Sequence, residues 1–517
     1  MAAQREKWGS MIGVILAVAG SAVGLGNFLR FPAKATLNGG GAFMIPYFVA
    51  FLLLGIPLMW VEWTLGRLGG AYGHGTAPGM FDKISRSPLA KYLGTIGVLG
   101  PFVILIYYMY VESWTLGYAW FSLTGHLYQI SDQASMKSYL SAYQGLTQNE
   151  FFTSLGPAYV FFVLTFALNF YFIYKGVQGG IEMLSKIGMP VLVIIGILLA
   201  ARVLMLGTPN PARPELSIGN ALGFVWNPDF SKLTDAKVWL EAAGQIFFTL
   251  SVGIGVILTY ASYLSKKDDV ALSGLTASAT NEFCEVILGG SIVIPAAFVF
   301  FGGTSAMAIA KSGTFNIGFV TMPLIFDKIP AGFIFSALWF ILLFLAGITS
   351  SVSLIQPAVA FLEDEFKWNR KRSTLVLGLV AFLASQPVIF FLKHGFLDEL
   401  DFWGGTFFLV VFATLETFLF IGVYGIDKGW KEMHEGARMK IPNFYKYIIK
   451  YVTPAYLVIL LAVYSYQQFW SQLIFKGVPE ADKPYMWAAR GLVFGLWAFI
   501  IILVAVAWRR RAKEGQA

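Results

Sequence analysis

Long apolar runs constrain this chain more than any other feature. Runs of about 17–25 residues recur along its whole length. Hydrocarbon offers no water to satisfy backbone N–H and C=O groups, so segments this long cross a bilayer as helices. Composition agrees: 57% of residues are hydrophobic and 13% charged, whereas soluble domains carry about 25% charged residues. The pattern predicts an all-α polytopic membrane protein of roughly twelve transmembrane helices, at about 11–37, 41–68, 90–124, 157–174, 178–204, 237–263, 270–303, 332–366, 371–392, 399–424, 443–470 and 484–509.

The net charge of +8 does not point to nucleic acid. The basic residues sit in short loops: Lys83, Arg86 and Lys91 after the second run, Lys266 and Lys267 after the sixth, Lys367, Arg370, Lys371 and Arg372 after the eighth, Arg509 to Arg511 at the end. With twelve spans they share one side, which predicts cytoplasmic termini. Cys284 is the single cysteine, so an intrachain disulfide is excluded. No small-residue cleavage site follows Arg5, Glu6 and Lys7, so no cleavable signal peptide is expected.

The first run contains a liability. Gly20, Gly24 and Gly26 are followed by Asn27 and Arg30. Glycine costs about 1 kcal/mol in a helix interior, and polar side chains are expensive at membrane depth. Together they predict a helix that breaks to expose backbone groups. Ala22-Val-Gly-Leu-Gly26 is echoed by Ser251-Val-Gly-Ile-Gly255 in the sixth run. Five spans per unit force the second copy into inverted topology, and matched breaks in two inverted halves point to a transporter binding site. The expected organisation is an N-terminal segment 1–10, repeats at 11–204 and 237–424, two further spans within 443–509, and a tail 510–517. The segment 304–326 reads as a short re-entrant or lid helix.

A broken helix offers N–H groups and a positive dipole end to a carboxylate. It also frees carbonyls for a hard cation. Thr249, Ser251, Asn281, Thr349, Ser350 and Ser351 add neutral oxygens nearby. An isolated intramembrane Ser or Thr more often satisfies a local carbonyl; the buried amides of Asn27 and Asn281 have more groups to satisfy. Glu62, Glu112 and Glu285 are intramembrane carboxylates, and Glu285 lies one turn after Asn281. Enzyme signatures fail: there is no GxGxxG or Walker sequence, and His74, His126, His394 and His434 lack metal spacing. The chain is not expected to be an enzyme.

Trp8, Gly20–Pro32, Asn38–Pro46, Tyr107–Trp114, Gly244–Tyr263, Asn281–Pro295, Ala346–Pro357 and Asp398–Gly404 resemble the neurotransmitter:sodium symporters, most closely their bacterial leucine-transporter (LeuT-type) branch. The resemblance implies a LeuT fold with a 5+5 inverted repeat and unwound helices 1 and 6, in a bacterial cytoplasmic membrane. It implies symport of sodium with a small hydrophobic L-amino acid such as leucine, by alternating access. Two sodium sites are implied: one from Ala22, Asn27, Thr249 and Asn281, the other from Gly20, Val23, Ala346, Thr349 and Ser350. Substrate would meet Ala22, Leu25, Gly26, Ile104, Tyr108, Phe248, Thr249, Ser251, Ile254, Ser350 and Leu354. Arg30 with Asp401 would form an outer gate; Arg5 with Asp364, beside Trp8 and Tyr263, an inner one. Glu285 stands where chloride-dependent relatives have serine, near Tyr47, Gln245 and Thr249, which implies chloride-independent transport with Glu285 protonating on the return step. Ile104, Ile254 and Leu354 replace Val, Phe and Ile of the leucine-transporting branch, and Ser21 replaces an amide. The resemblance also allows a homodimer. A proton-coupled or sodium-independent exchanger of the same fold is one alternative. Another is a channel or sensor, which the absence of a continuous polar path disfavours.

Overall fold

The computed structural model describes residues 6–513. In chain order, span 1 is the pair Met11–Ala22 and Leu25–Leu37, bent by 52°. Spans 2 to 5 are Gly41–Ala71, Ala90–Leu123, Gly156–Tyr174 and Val177–Leu204. Span 6 is interrupted, Ala236–Leu250 and then Val256–Ala261. Spans 7 to 12 are Val270–Phe301, Gly332–Phe366, Arg370–Phe390, Phe396–Met433, Phe444–Leu473 and Lys483–Lys513. The expected spans are therefore present, both breaks included, in a multi-pass membrane protein.

Spans 3 and 8 run against each other through the centre. Gly347 of span 8 lets the Glu112 side chain of span 3 approach, since a β-carbon there would stand 2.8 Å from Glu112 Cγ. Span 1 packs on spans 5, 7 and 8, and the second half of span 6 packs on span 2. Gly66 and Gly70 make the latter contact possible, because a β-carbon at either would collide with the Leu258 or Ser262 carbonyl. Several spans carry a π-helical turn, among them Phe283–Gly289 in span 7 and Phe402–Phe407 in span 10. Each such turn rotates the face presented by the residues after it.

The segment read as one lid helix is two, Gly303–Lys311 and a stretch from Thr314 to Asp327. Gly313 between them has φ +97°, a left-handed conformation that glycine adopts without strain. Thr314 and Phe315 at the start of the second piece reach the central cavity.

Candidate functional site

The break in span 1 is built by its own sequence. Helix ends at Ala22, and Val23 is extended at ψ 96° while its N–H still donates to Ala19 O at 2.7 Å. Gly24 begins the second half, and its N–H donates to Asn27 Oδ1 at 2.9 Å. Asn27 thus caps the half-helix that it belongs to. Its Nδ2 faces Asn281 Oδ1 at 2.8 Å, with Thr249 Oγ1 and Glu285 Oε2 each at 3.2 Å.

The break in span 6 leans on span 1. Ser251 holds φ +54°, unusual for a residue with a β-carbon, and Gly253 and Gly255 follow at +75° and +87°. Ser251 Oγ donates to Ser21 O at 2.9 Å, joining the two breaks. Gly253 N donates to Glu62 Oε1 at 2.5 Å, so a span 2 carboxylate supports the unwound backbone.

Two places gather more oxygens than protons. At the first, the Asn281 amide oxygen stands 3.3 Å from both the Ala22 and Thr249 carbonyl oxygens. Converging acceptors repel unless the amide is reversed or a cation lies among them. At the second, Ser350 Oγ can donate its one proton to Ala346 O at 3.0 Å or to Gly20 O or Ser21 O at 3.3 Å. Thr349 Oγ1 bonds locally, to Leu345 O at 2.9 Å and Ala346 O at 3.3 Å. Val23 is buried at the adjoining helix end. Neutral oxygen donors suit a hard cation rather than a transition metal. No group of three or more His, Cys, Asp or Glu able to hold a metal exists among the described residues.

Between the two oxygen clusters opens a cavity of about 400 Å³. Every expected substrate residue lines it except Thr249. Thr249 turns away and its hydroxyl donates to Glu285 Oε2. The polar wall is the start of the second half of span 1. A β-carbon on Gly24 would meet Tyr108 Oη at 3.3 Å and Ser350 Oγ at 3.4 Å, which locates both hydroxyls against this backbone. Ile104, Ile254 and Leu354 form apolar walls. Span 10 adds Leu397, Asp398, Gly405, Thr406 and Leu409, and span 3 adds Val111. Asp398, Asp401, Gly405 and Leu409 follow one another at helical intervals of three and four residues, so they share one face of span 10.

The expected outer pair is separated. The Arg30 guanidinium sits 4.4 Å from the Phe248 ring centroid, while Asp401 Oδ1 accepts from Tyr107 Oη at 2.5 Å. Both line the cavity mouth, and no ion pair joins them among the described residues. On the other side Trp8 Nε1 donates to Tyr260 O at 2.9 Å. Its ring lies edge-on to Tyr260 and Tyr263, with centroids 5.3 and 6.5 Å away. Gln356 Nε2 donates to Tyr263 Oη at 2.7 Å. Arg5 lies outside the described residues; Asp364 Oδ2 accepts from Gly75 N at 2.6 Å. A contact not foreseen is Glu182 of span 5, which accepts from Gly9 N at 2.6 Å and Ser10 Oγ at 3.0 Å.

Glu285 is buried and accepts from Gln245 Nε2 at 2.6 Å as well as from Thr249 and Asn27. Its carboxylate thus lies among three side-chain donors.

Known proteins share this architecture. The sequence profile of the Sodium:neurotransmitter symporter family matches residues 5–140 and 128–513. An uncharacterized sodium-dependent transporter of Methanocaldococcus jannaschii is 32% identical over 473 residues, which is 89% of this chain and 90% of that protein. The uncharacterized sodium-dependent transporter YhdH of Bacillus subtilis is 30% identical over 467 residues, 88% of this chain and 96% of its own. The crystal structure of MhsT in complex with L-phenylalanine matches with a TM-score of 0.75 at 29% identity, over 89% of this chain and 99% of that one. Two interrupted spans around one cavity, and a profile match along nearly the whole length, make this chain a sodium-dependent transporter of the sodium:neurotransmitter symporter family, with the LeuT fold.

Proposed function

We infer that the transported solute is a small hydrophobic L-amino acid such as leucine, carried with sodium by alternating access and without chloride. The observation that carries this reading is the cavity itself. It combines a half-helix N-terminus at Leu25 and Gly26 with apolar walls at Ile104, Ile254 and Leu354. The N–H groups and the Tyr108 hydroxyl suit a carboxylate, and the Ala22 and Ser251 region suits an ammonium group. The solute carboxylate would complete a sodium shell with Ala22, Asn27, Thr249 and Asn281. Gly20, Val23, Ala346, Thr349 and Ser350 would hold a second ion. Sodium and solute then raise each other's affinity by the same factor, which is the physical basis of coupling.

Glu285 supplies a negative charge beside the first ion while sodium is bound and takes up a proton on the return step, so no mobile anion is needed. Arg30 and Asp401 would close over the solute on one side; Trp8 and Tyr263, with Arg5 and Asp364, would close the other. The basic loops orient the protein in a bacterial cytoplasmic membrane with both termini inside.

A larger, aromatic amino acid is the second reading. The cavity continues past Ile254 to Thr406 and Leu409, and the structural neighbour MhsT was solved with L-phenylalanine. One screen separates them: binding of each of the twenty amino acids to purified protein, in sodium and in potassium. Binding of leucine-sized solutes in sodium alone supports the first reading, and preference for aromatic ones the second. Binding that is equal in potassium overturns sodium coupling of this site.

A further inference from the structure

Spans 4 and 9 lie side by side at the edge of the bundle, and a groove of about 420 Å³ runs between them. Its walls include Phe166, Phe170 and Tyr174 of span 4 and Leu375, Leu379 and Phe382 of span 9. Gly378 forms the floor, where a β-carbon would stand 3.1 Å from the Phe170 ring. Leu375 and Leu379 are exposed in the isolated chain, at 67% and 62%. In a membrane this face meets lipid.

The groove ends in positive charge. Arg370 Nε donates to Ile173 O at 2.8 Å and so ties the start of span 9 to the end of span 4. Around that tie stand Lys175, 5.4 Å from the Tyr171 ring centroid, Lys371, 5.7 Å from that of Tyr174, and Arg372, 4.1 Å from that of Trp368. All three are exposed. None has a carboxylate partner among the described residues, whereas neighbouring Arg370 faces Glu6 at 3.6 Å and Glu363 at 3.7 Å.

An apolar trough that opens onto uncompensated cations matches one amphiphile: an acyl chain attached to an anionic headgroup. A zwitterionic headgroup brings no net charge to this rim. A second copy of the chain would need acidic residues to offer, and two on the same side, Glu365 and Asp82, already pair with Arg511 at 2.8 Å and Lys91 at 3.3 Å. We propose that the groove between spans 4 and 9 binds an anionic phospholipid, one acyl chain lying over Gly378 and the phosphate meeting Lys175, Lys371 and Arg372.

The test uses the full chain, reconstituted in vesicles of dioleoyl phosphatidylglycerol and dioleoyl phosphatidylcholine and then re-extracted, with retained lipid counted by native mass spectrometry. The wild type should retain phosphatidylglycerol in preference. Each basic residue near a membrane surface contributes roughly a fivefold preference for anionic lipid. K175Q/K371Q/R372Q should therefore lose about a hundredfold of that preference, with sodium-dependent solute binding unchanged. L379W, which fills the groove, should lower retention of both lipids. Equal retention of the two lipids by the wild type overturns the proposal, as does undiminished phosphatidylglycerol retention by the triple variant. A dimer that retains no lipid and dissociates on the triple substitution overturns it too, in favour of a second copy.

Discussion

Gly26→Ala probes how Phe248 closes on the broken helix. The substitution keeps the Gly26 N–H and sits inside the helix Leu25–Leu37, so the backbone tolerates it. The added carbon would stand 2.5 Å from Phe248 Cε1 and 3.1 Å from Cδ1. Carbon atoms rest about 3.5–4.0 Å apart, so the ring must retreat by about 1 Å. Arg30 rests on the same ring at 4.4 Å and has to follow it. Overpacking of this kind costs about 1–3 kcal/mol, a factor of roughly 5 to 150 in Kd if the strain falls on the closed, solute-bound form. The assay is solute Kd at saturating sodium for the wild type, G26A, F248L and G26A/F248L, read as a double-mutant cycle. Leucine at 248 removes the ring edge, so G26A should then weaken binding less than about twofold. Wild-type affinity in G26A refutes the reasoning. So does an equal loss in both backgrounds, since the clash would then lie elsewhere.

Two further outcomes follow from neighbouring contacts. Glu285→Ser removes the carboxylate that Gln245, Asn27 and Thr249 address; uptake should fall roughly tenfold in gluconate and recover in chloride, while wild-type uptake ignores the exchange, and wild-type collapse without chloride would contradict the role given to Glu285. Ser251 holds φ +54°, so S251V should melt at a lower temperature than S251G by the equivalent of about 1–3 kcal/mol; equal melting temperatures would show that this backbone is unstrained.

The spans and both breaks are legible in the sequence because membrane depth forbids most residue types, and each exception therefore carries information. Asn27 and Asn281 stand out as amides among apolar neighbours, and they do meet. Side-chain direction is less legible. Thr249 does meet Glu285, the neighbour that the resemblance implies, but its hydroxyl thereby leaves the cavity where it is also expected to meet solute. Arg30 is expected to seek Asp401, but Tyr107 occupies that carboxylate and the guanidinium lies on Phe248. Gly405 and Leu409 continue the helical face of Asp398 and Asp401, but an apolar span facing protein all round gives no sign of which face meets the cavity. The Glu182 contact with Gly9 and Ser10 is far apart in the chain and only the fold brings it together.

The two ends of the cavity are sealed unequally, and under the proposed alternating access this would set how the empty carrier divides its time. On one side Trp8 gives an indole N–H to the Tyr260 carbonyl and two edge-on ring contacts. On the other, Arg30 and Asp401 are each engaged elsewhere. One hydrogen bond at about 1 kcal/mol and two ring contacts at about 1 kcal/mol each would favour the Trp8-closed form by about 3 kcal/mol if the opened form gains nothing in exchange. An unloaded molecule would then open toward Trp8 for about one per cent of its dwell time. Sodium slippage through the empty protein would then fall in the same proportion.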